Sequence, residues 1–240
     1  MNPSGIAAPT AEEAREQIET LVGYEAARRN DAWRMTFFEN LRVAGPYALR
    51  TVAAEDSPNG FPYQVIIVKE IGEASATLWF DDVLDRALSA GAGLAVYAAL
   101  GARSPEFLAS YGDLVGVRAW GHLIITRLQS AVETPTSAEA IEFEVTSPLE
   151  VGLPEVALHR IAAHMRAQLG VAAPRLLSAR QRGQIGWDLV VDLDRQAFEG
   201  ESRFLDALSS IKWFVPAETA VMANPFAADA PVPWFISEEA

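Results

Sequence analysis

The chain has 240 residues, half of them apolar and 21% charged, which is enough apolar material for compact cores and too little charge for wholesale disorder. Lys and Arg number 19 against 32 Asp and Glu, and the resulting net charge of -13, with a pI near 4.7, repels nucleic acid and anionic membranes. Cysteine is absent, which excludes disulfides, thiolate metal sites, iron–sulfur clusters and cysteine nucleophiles.

Residues 1–10 read as a loose, disordered leader with neither the basic start nor the apolar core of a signal peptide. The longest apolar run, 91–102, falls far short of the ~20 residues that span a bilayer. Together with the Ala- and Arg-rich composition, this predicts a soluble, cytoplasmic, bacterial protein.

An N-terminal α+β domain is expected over 11–130. Thr10 and Glu13 form a capping box, and Ala14, Ile18, Leu21 and Val22 make one stripe, predicting a helix over 11–28. A second helix, with Asp31 as its N-cap, carries Trp33, Phe37 and Leu41 on one face and stops at Gly45-Pro46. Residues 47–54 and 61–69 flank the turn residues Ser57, Pro58, Asn59 and Gly60 and read as a hairpin. The run from Val65 to Val68 is apolar on both faces, as in a strand covered on two sides. Next come a strand over 76–80, a helix capped by Asp81 or Asp82 and closed by Gly91, a strand over 94–99, and a strand over 114–120.

Turn-rich residues 130–138 mark the expected domain boundary, and 139–223 a second domain. Residues 141–145 alternate as a half-exposed strand, and Pro154 opens a helix that Gly170 closes. Residues 175–180 and 187–193 form a hairpin, Phe204, Leu208 and Ile211 line a helix, and the last strand falls at 213–215 or 219–222. This βαββαβ succession predicts a ferredoxin-like sandwich, with two helices on one face of a four-stranded antiparallel sheet. No repeat of fixed period is visible. Residues 224–240 form a proline-rich tail in which Phe226, Trp234 and Phe235 either pack on their own chain or dock on a partner.

The chemistry is sparse. His159 and His164 stand about 140° apart around their helix axis and cannot converge on one ion. His122, beside Trp120, would need a carboxylate from Asp113 or from the turn carrying Asp81, Asp82 and Asp85, and those three aspartates fit a helix start. Asp188, Asp192 and Asp194 share a strand parity and read as a solvated face, a divalent-ion site there requiring a second strand. Gly91-Ala92-Gly93 follows a helix, Gly183 to Gly186 joins a hairpin, and neither has the order of a phosphate-binding loop. Arg175, Arg180 and Arg182 gather near Trp187, and Arg180, Arg182 and Trp187 are the candidate site for a carboxylate or phosphate ligand.

No cofactor or metal is expected, and catalysis is the lesser expectation. The chain reads as a protein-interaction or regulatory module of adaptor or immunity type, with a protein partner, self-association through a sheet edge, and neither nucleic acid nor membrane as target. The competing reading is a small-molecule or enzymatic site in a crevice between the domains.

Overall fold

A computed structural model of the chain describes residues 9–53, 56, 57, 59–124, 142–226 and 231–236. It is mixed helix and sheet, and it divides into two compact units, Met1–Ile125 and Thr126–Ala240. The boundary expected at 130–138 and most of the leader lie outside the described residues. No described helix is long and apolar enough to cross a membrane.

In the first unit, α1 (Ala11–Val22) begins with the expected Thr10–Glu13 capping box and ends at Gly23, earlier than its stripe suggests; the rest of the expected helix holds a 3-10 turn, Ala26–Arg28. Asn30, one residue before the expected cap, accepts the Trp33 N–H at 3.0 Å and starts α2 (Asp31–Leu41). The hairpin forms as β1 (Arg50–Val52) and β2 (Tyr63–Ile67), and β2 is buried along its whole length. α3 (Phe80–Ala90) then crosses over, so that β3 (Gly93–Tyr97) pairs parallel with β2. β4 (Phe107–Ala109) closes the order β1-β2-β3-β4. Ile66, Leu94, Val96 and Phe107 share one core with residues from all of the unit's helices, including Phe37, Phe38, Val83 and Leu114.

Two expectations for this unit are overturned. Residues 114–120 form not a strand but most of α4 (Tyr111–Trp120). Ser110 Oγ accepts the Asp113 N–H at 3.1 Å, while the Asp113 carboxylate accepts the Ser110 N–H at 2.8 Å. That reciprocal cap, with Gly121 at φ +76° closing the helix, outweighs the β-branched residues inside it. The strand expected over 76–80 is reduced to a single bridge between Leu78 and Tyr47.

The second unit runs β5 (Phe143–Thr146), α5 (Glu155–Leu169), β6 (Arg175–Gln181), β7 (Asp188–Val191), α6 (Glu201–Lys212), β8 (Val221–Ala223) and β9 (Phe235–Ile236). The element succession is the expected one; the ferredoxin-like, wholly antiparallel sheet is not what it builds. A ferredoxin-like sheet threads its first strand between the third and fourth. Here β5 lies on the far side of β6, the order is β5-β6-β7-β8, and β7 and β8 pair directly and parallel across α6. The tail supplies β9, which pairs with β6 on the same edge as β5.

Candidate functional site

Strand parity gives the second sheet two different faces. Leu176, Leu189, Val191 and Val221, all fully buried, share a face with Phe235, whose ring lies 5.7 Å from that of His159 on α5; this is the helical side. On the opposite face Leu177, Ala179 and Val190 pack with Phe143, Val145, Met222, Phe226, Val232 and Trp234. A pair of helices covers one side, and a strand edge and the tail cover the other.

Of the predicted ligand residues, Arg180 and Trp187 come together. Arg180 lies over the Trp187 ring, 4.5 Å from its centroid, and its Nε donates to Glu144 Oε2 at 2.7 Å. A second nitrogen of the same guanidinium reaches that carboxylate at 2.5 Å. Arg182, beyond it, pairs with Glu142. The β5–β6 register sets Glu144 opposite Arg180, so each arginine already holds a carboxylate that an incoming anion would have to displace. These glutamates are the partners that sequence reasoning missed. Their signal was the alternation of residues 141–145, which puts Glu142 and Glu144 on one side of a strand.

Arg175, at the other end of β6, donates through Nε to Asp192 Oδ2 at 2.7 Å, and Asp192 Oδ1 accepts from Asn224 Nδ2 at 3.0 Å. The Trp234 ring stands 5.0 Å from the Arg175 guanidinium. Phe226 meets Phe143 edge to face, with centroids 5.7 Å apart. All three tail aromatics therefore rest on the tail's own unit. The aspartate face expected to be solvated is instead tied into this cover. Asp188 accepts the Ala220 N–H at 3.3 Å, and burial raises its pKa against the pull of that bond and of Lys212. Asp194, beyond the strand, accepts the Gln196 N–H at 2.9 Å.

Comparison with protein-family models, curated proteins and solved structures finds no match to this chain. The site is accordingly read from its own geometry.

The remaining candidates are dispersed. His164 Nε2 lies 2.8 Å from Ser210 Oγ, whose proton goes to the Ala207 carbonyl at 2.7 Å, so the ring donates; burial lowers its pKa. His159 sits 3.5 Å from Glu155, beside an open depression of about 540 Å³ lined by Glu155, Val156, His159, Arg160 and Ala163. His122 Nδ1 contacts the Trp120 carbonyl at 3.0 Å, Asp113 is spent on its cap, Asp82 accepts the Trp79 N–H at 3.0 Å, and Asp85 pairs with Arg118. No group of three or more metal-ligating side chains forms among the described residues.

Proposed function

We propose that the chain is a non-catalytic protein-interaction or regulatory module, adaptor-like or immunity-like, that takes a partner along the free edge of its second sheet. The observation that carries this reading is the β5–β9 row. Among the described residues β5 pairs with β6 alone, and β9 continues the same edge. The Arg182 N–H bonds the Glu142 carbonyl at 2.9 Å, so by strand alternation Glu144 and Thr146 also turn their backbone groups toward β6. Phe143 and Val145 turn theirs outward, an open template for another strand. Ile236, 59% exposed on β9, and Ile185, 96% exposed at the hairpin tip, supply apolar contacts near that edge. The excess of acidic residues speeds encounter with a basic partner and makes the association sensitive to salt.

Val145→Pro removes an outward N–H while sparing the bonds to β6, and edge strands tolerate proline. A partner retained from source-cell lysate at moderate salt by the full chain, and lost by folded Val145→Pro, is the expected result. Retention of nothing by the wild-type chain, or turnover of a substrate, removes the reading. Light scattering on the purified chain separates a heterologous partner from a second copy on the same edge.

A further inference from the structure

Deepening the interaction reading above, we propose that the surface under residues 231–236 is an acceptor groove for an extended partner segment bearing a tryptophan followed by a second large apolar residue, and that the chain's own tail is its resident occupant.

The groove has the parts of a strand-addition site. β5 pairs with Ser178 to Gln181, leaving the same edge of β6 open at Arg175 and Leu176, where β9 adds only the pairs Arg175–Ile236 and Leu176–Phe235. Backbone pairing supplies affinity in such a mode, and alternate side chains supply selectivity. Trp234 goes to the tail-covered face, onto Leu177, Ala179 and Val190 and beside the Arg175 guanidinium at 5.0 Å. Phe235 goes to the helical face, against His159. Ile236 is left 59% exposed and selects nothing.

The receptor side is built without the tail strand. Arg175 is held by Asp192, Asp192 by Asn224, and His159 lies beside Glu155. Removing residues 231–236 breaks none of these contacts, so the groove stays formed for an incoming segment. The occupant is held less firmly: two residue pairs are a short strand, and Trp234 and Phe235 are each only half-buried. Pro231 and Pro233 keep the segment extended and lower the entropy lost on docking, so Pro-Val-Pro-Trp-Phe-Ile shows the chemistry the groove accepts. A partner segment of that kind competes with the tail and is matched to the same two side-chain sites.

The test uses the full chain and a fluorescent synthetic peptide, Pro-Val-Pro-Trp-Phe-Ile, read by anisotropy. Trp234→Ala weakens the resident occupant, so the peptide binds this variant at least tenfold more tightly than the wild-type chain, and a peptide with Ala in place of Trp binds neither. Should Trp234→Ala fail to fold by circular dichroism, Phe235→Ala, which empties the other side-chain site against His159, takes its place with the same expectation. Absence of saturable binding to folded wild-type and variant chains overturns the proposal and leaves the tail a fixed strand. A wild-type dimer that forms with rising concentration and is dissociated by the peptide also overturns it, because the occupant is then a second copy's tail. Failure here is separable from failure of the edge reading. A partner lost by Val145→Pro with no peptide binding removes only the groove, and peptide binding without such a partner supports the groove and removes the edge.

Discussion

The two units run through the same middle. In the first, α2, β1, β2, α3 and β3 follow one another; in the second, α5, β6, β7, α6 and β8 do. Each succession makes an antiparallel hairpin and then a parallel crossover pair. What differs is the edge at which the sheet grows. The first unit adds β4 beyond its crossover strand and leaves the hairpin strand β1 outermost, with Arg50 paired to Glu70 at 2.7 Å on it. The second unit adds β5 and β9 beyond its hairpin strand. A common frame thus carries two different borders, and the border built partly from the tail is where interaction is proposed.

The sharpest way to break this comparison is to weigh the cores. Phe38 is fully buried and touches Phe80 edge to face at 5.5 Å and Phe107 at 6.2 Å. Phe38→Ala should cost about 3–5 kcal/mol in urea denaturation, as other large truncations in packed cores do. Trp234→Ala, on the tail-covered face, should cost roughly 1–2 kcal/mol, since a half-buried ring loses part of its burial together with an arginine contact. Equal losses would mean that the tail belongs to the core as fully as the helices do. Hydrogen exchange gives a second reading: the amide of Leu176, which by strand alternation faces β9, should lose protection in Trp234→Ala, while that of Arg175, whose carbonyl accepts the Asp192 N–H on the β7 side, and those of β2 should not change.

A smaller effect is pH-dependent and belongs to the second unit. Burial holds His164 below its ordinary pKa of 6.5 in the folded chain. The unfolded chain therefore binds the proton first, and stability present above pH 6.5 is lost as the pH falls toward the folded value. Asp188 acts with the opposite sign. Its folded pKa is raised above 3.8, so stability declines as the pH rises from 3.8 through the folded value. Thermal melts across pH 7 to 5 should show the acid-side loss in the wild-type chain and its reduction in His164→Gln, which keeps a donor for Ser210. An unchanged slope in that variant would place the dependence elsewhere.

How far the sequence showed this arrangement depended on the range of the interaction. Caps and stripes are local: Thr10 with Glu13, Pro154 and Gly170 mark helix ends in the sequence, and Ser110 with Asp113 is the same kind of signal for α4, masked in the sequence by the β-branched residues that follow it. The facing of β5 against β6 is not local. It joins Glu144 to Arg180 across 36 positions, and no spacing rule links them before the register is known. The same holds for the sheet order, because a βαββαβ string fits either a split or an unsplit parallel unit. The repeated frame is hidden for a further reason: it is carried by direction and pairing, with different residues at matching places.

The two hairpins yield the smallest and most discriminating prediction. In them, Thr51 pairs with Gln64 and Ser178 with Leu189. Gln64 is 7% exposed and its Nε2 donates to Thr51 Oγ1 at 3.3 Å, so the buried amide has a partner. Ser178 is 1% exposed, and its hydroxyl has no hydrogen-bond partner among the described residues, with Leu189 opposite it. Losing the hydroxyl therefore has opposite consequences in the two frames. Thr51→Ala deprives a buried amide of its partner and should cost about 1 kcal/mol. Ser178→Ala removes a polar group that was desolvated without compensation and should add about 0.5–1 kcal/mol. Urea midpoints of the two variants should move in opposite directions. If both fall, Ser178 is satisfied by a bound water, and the two frames are alike in their polar interior as well as in their topology.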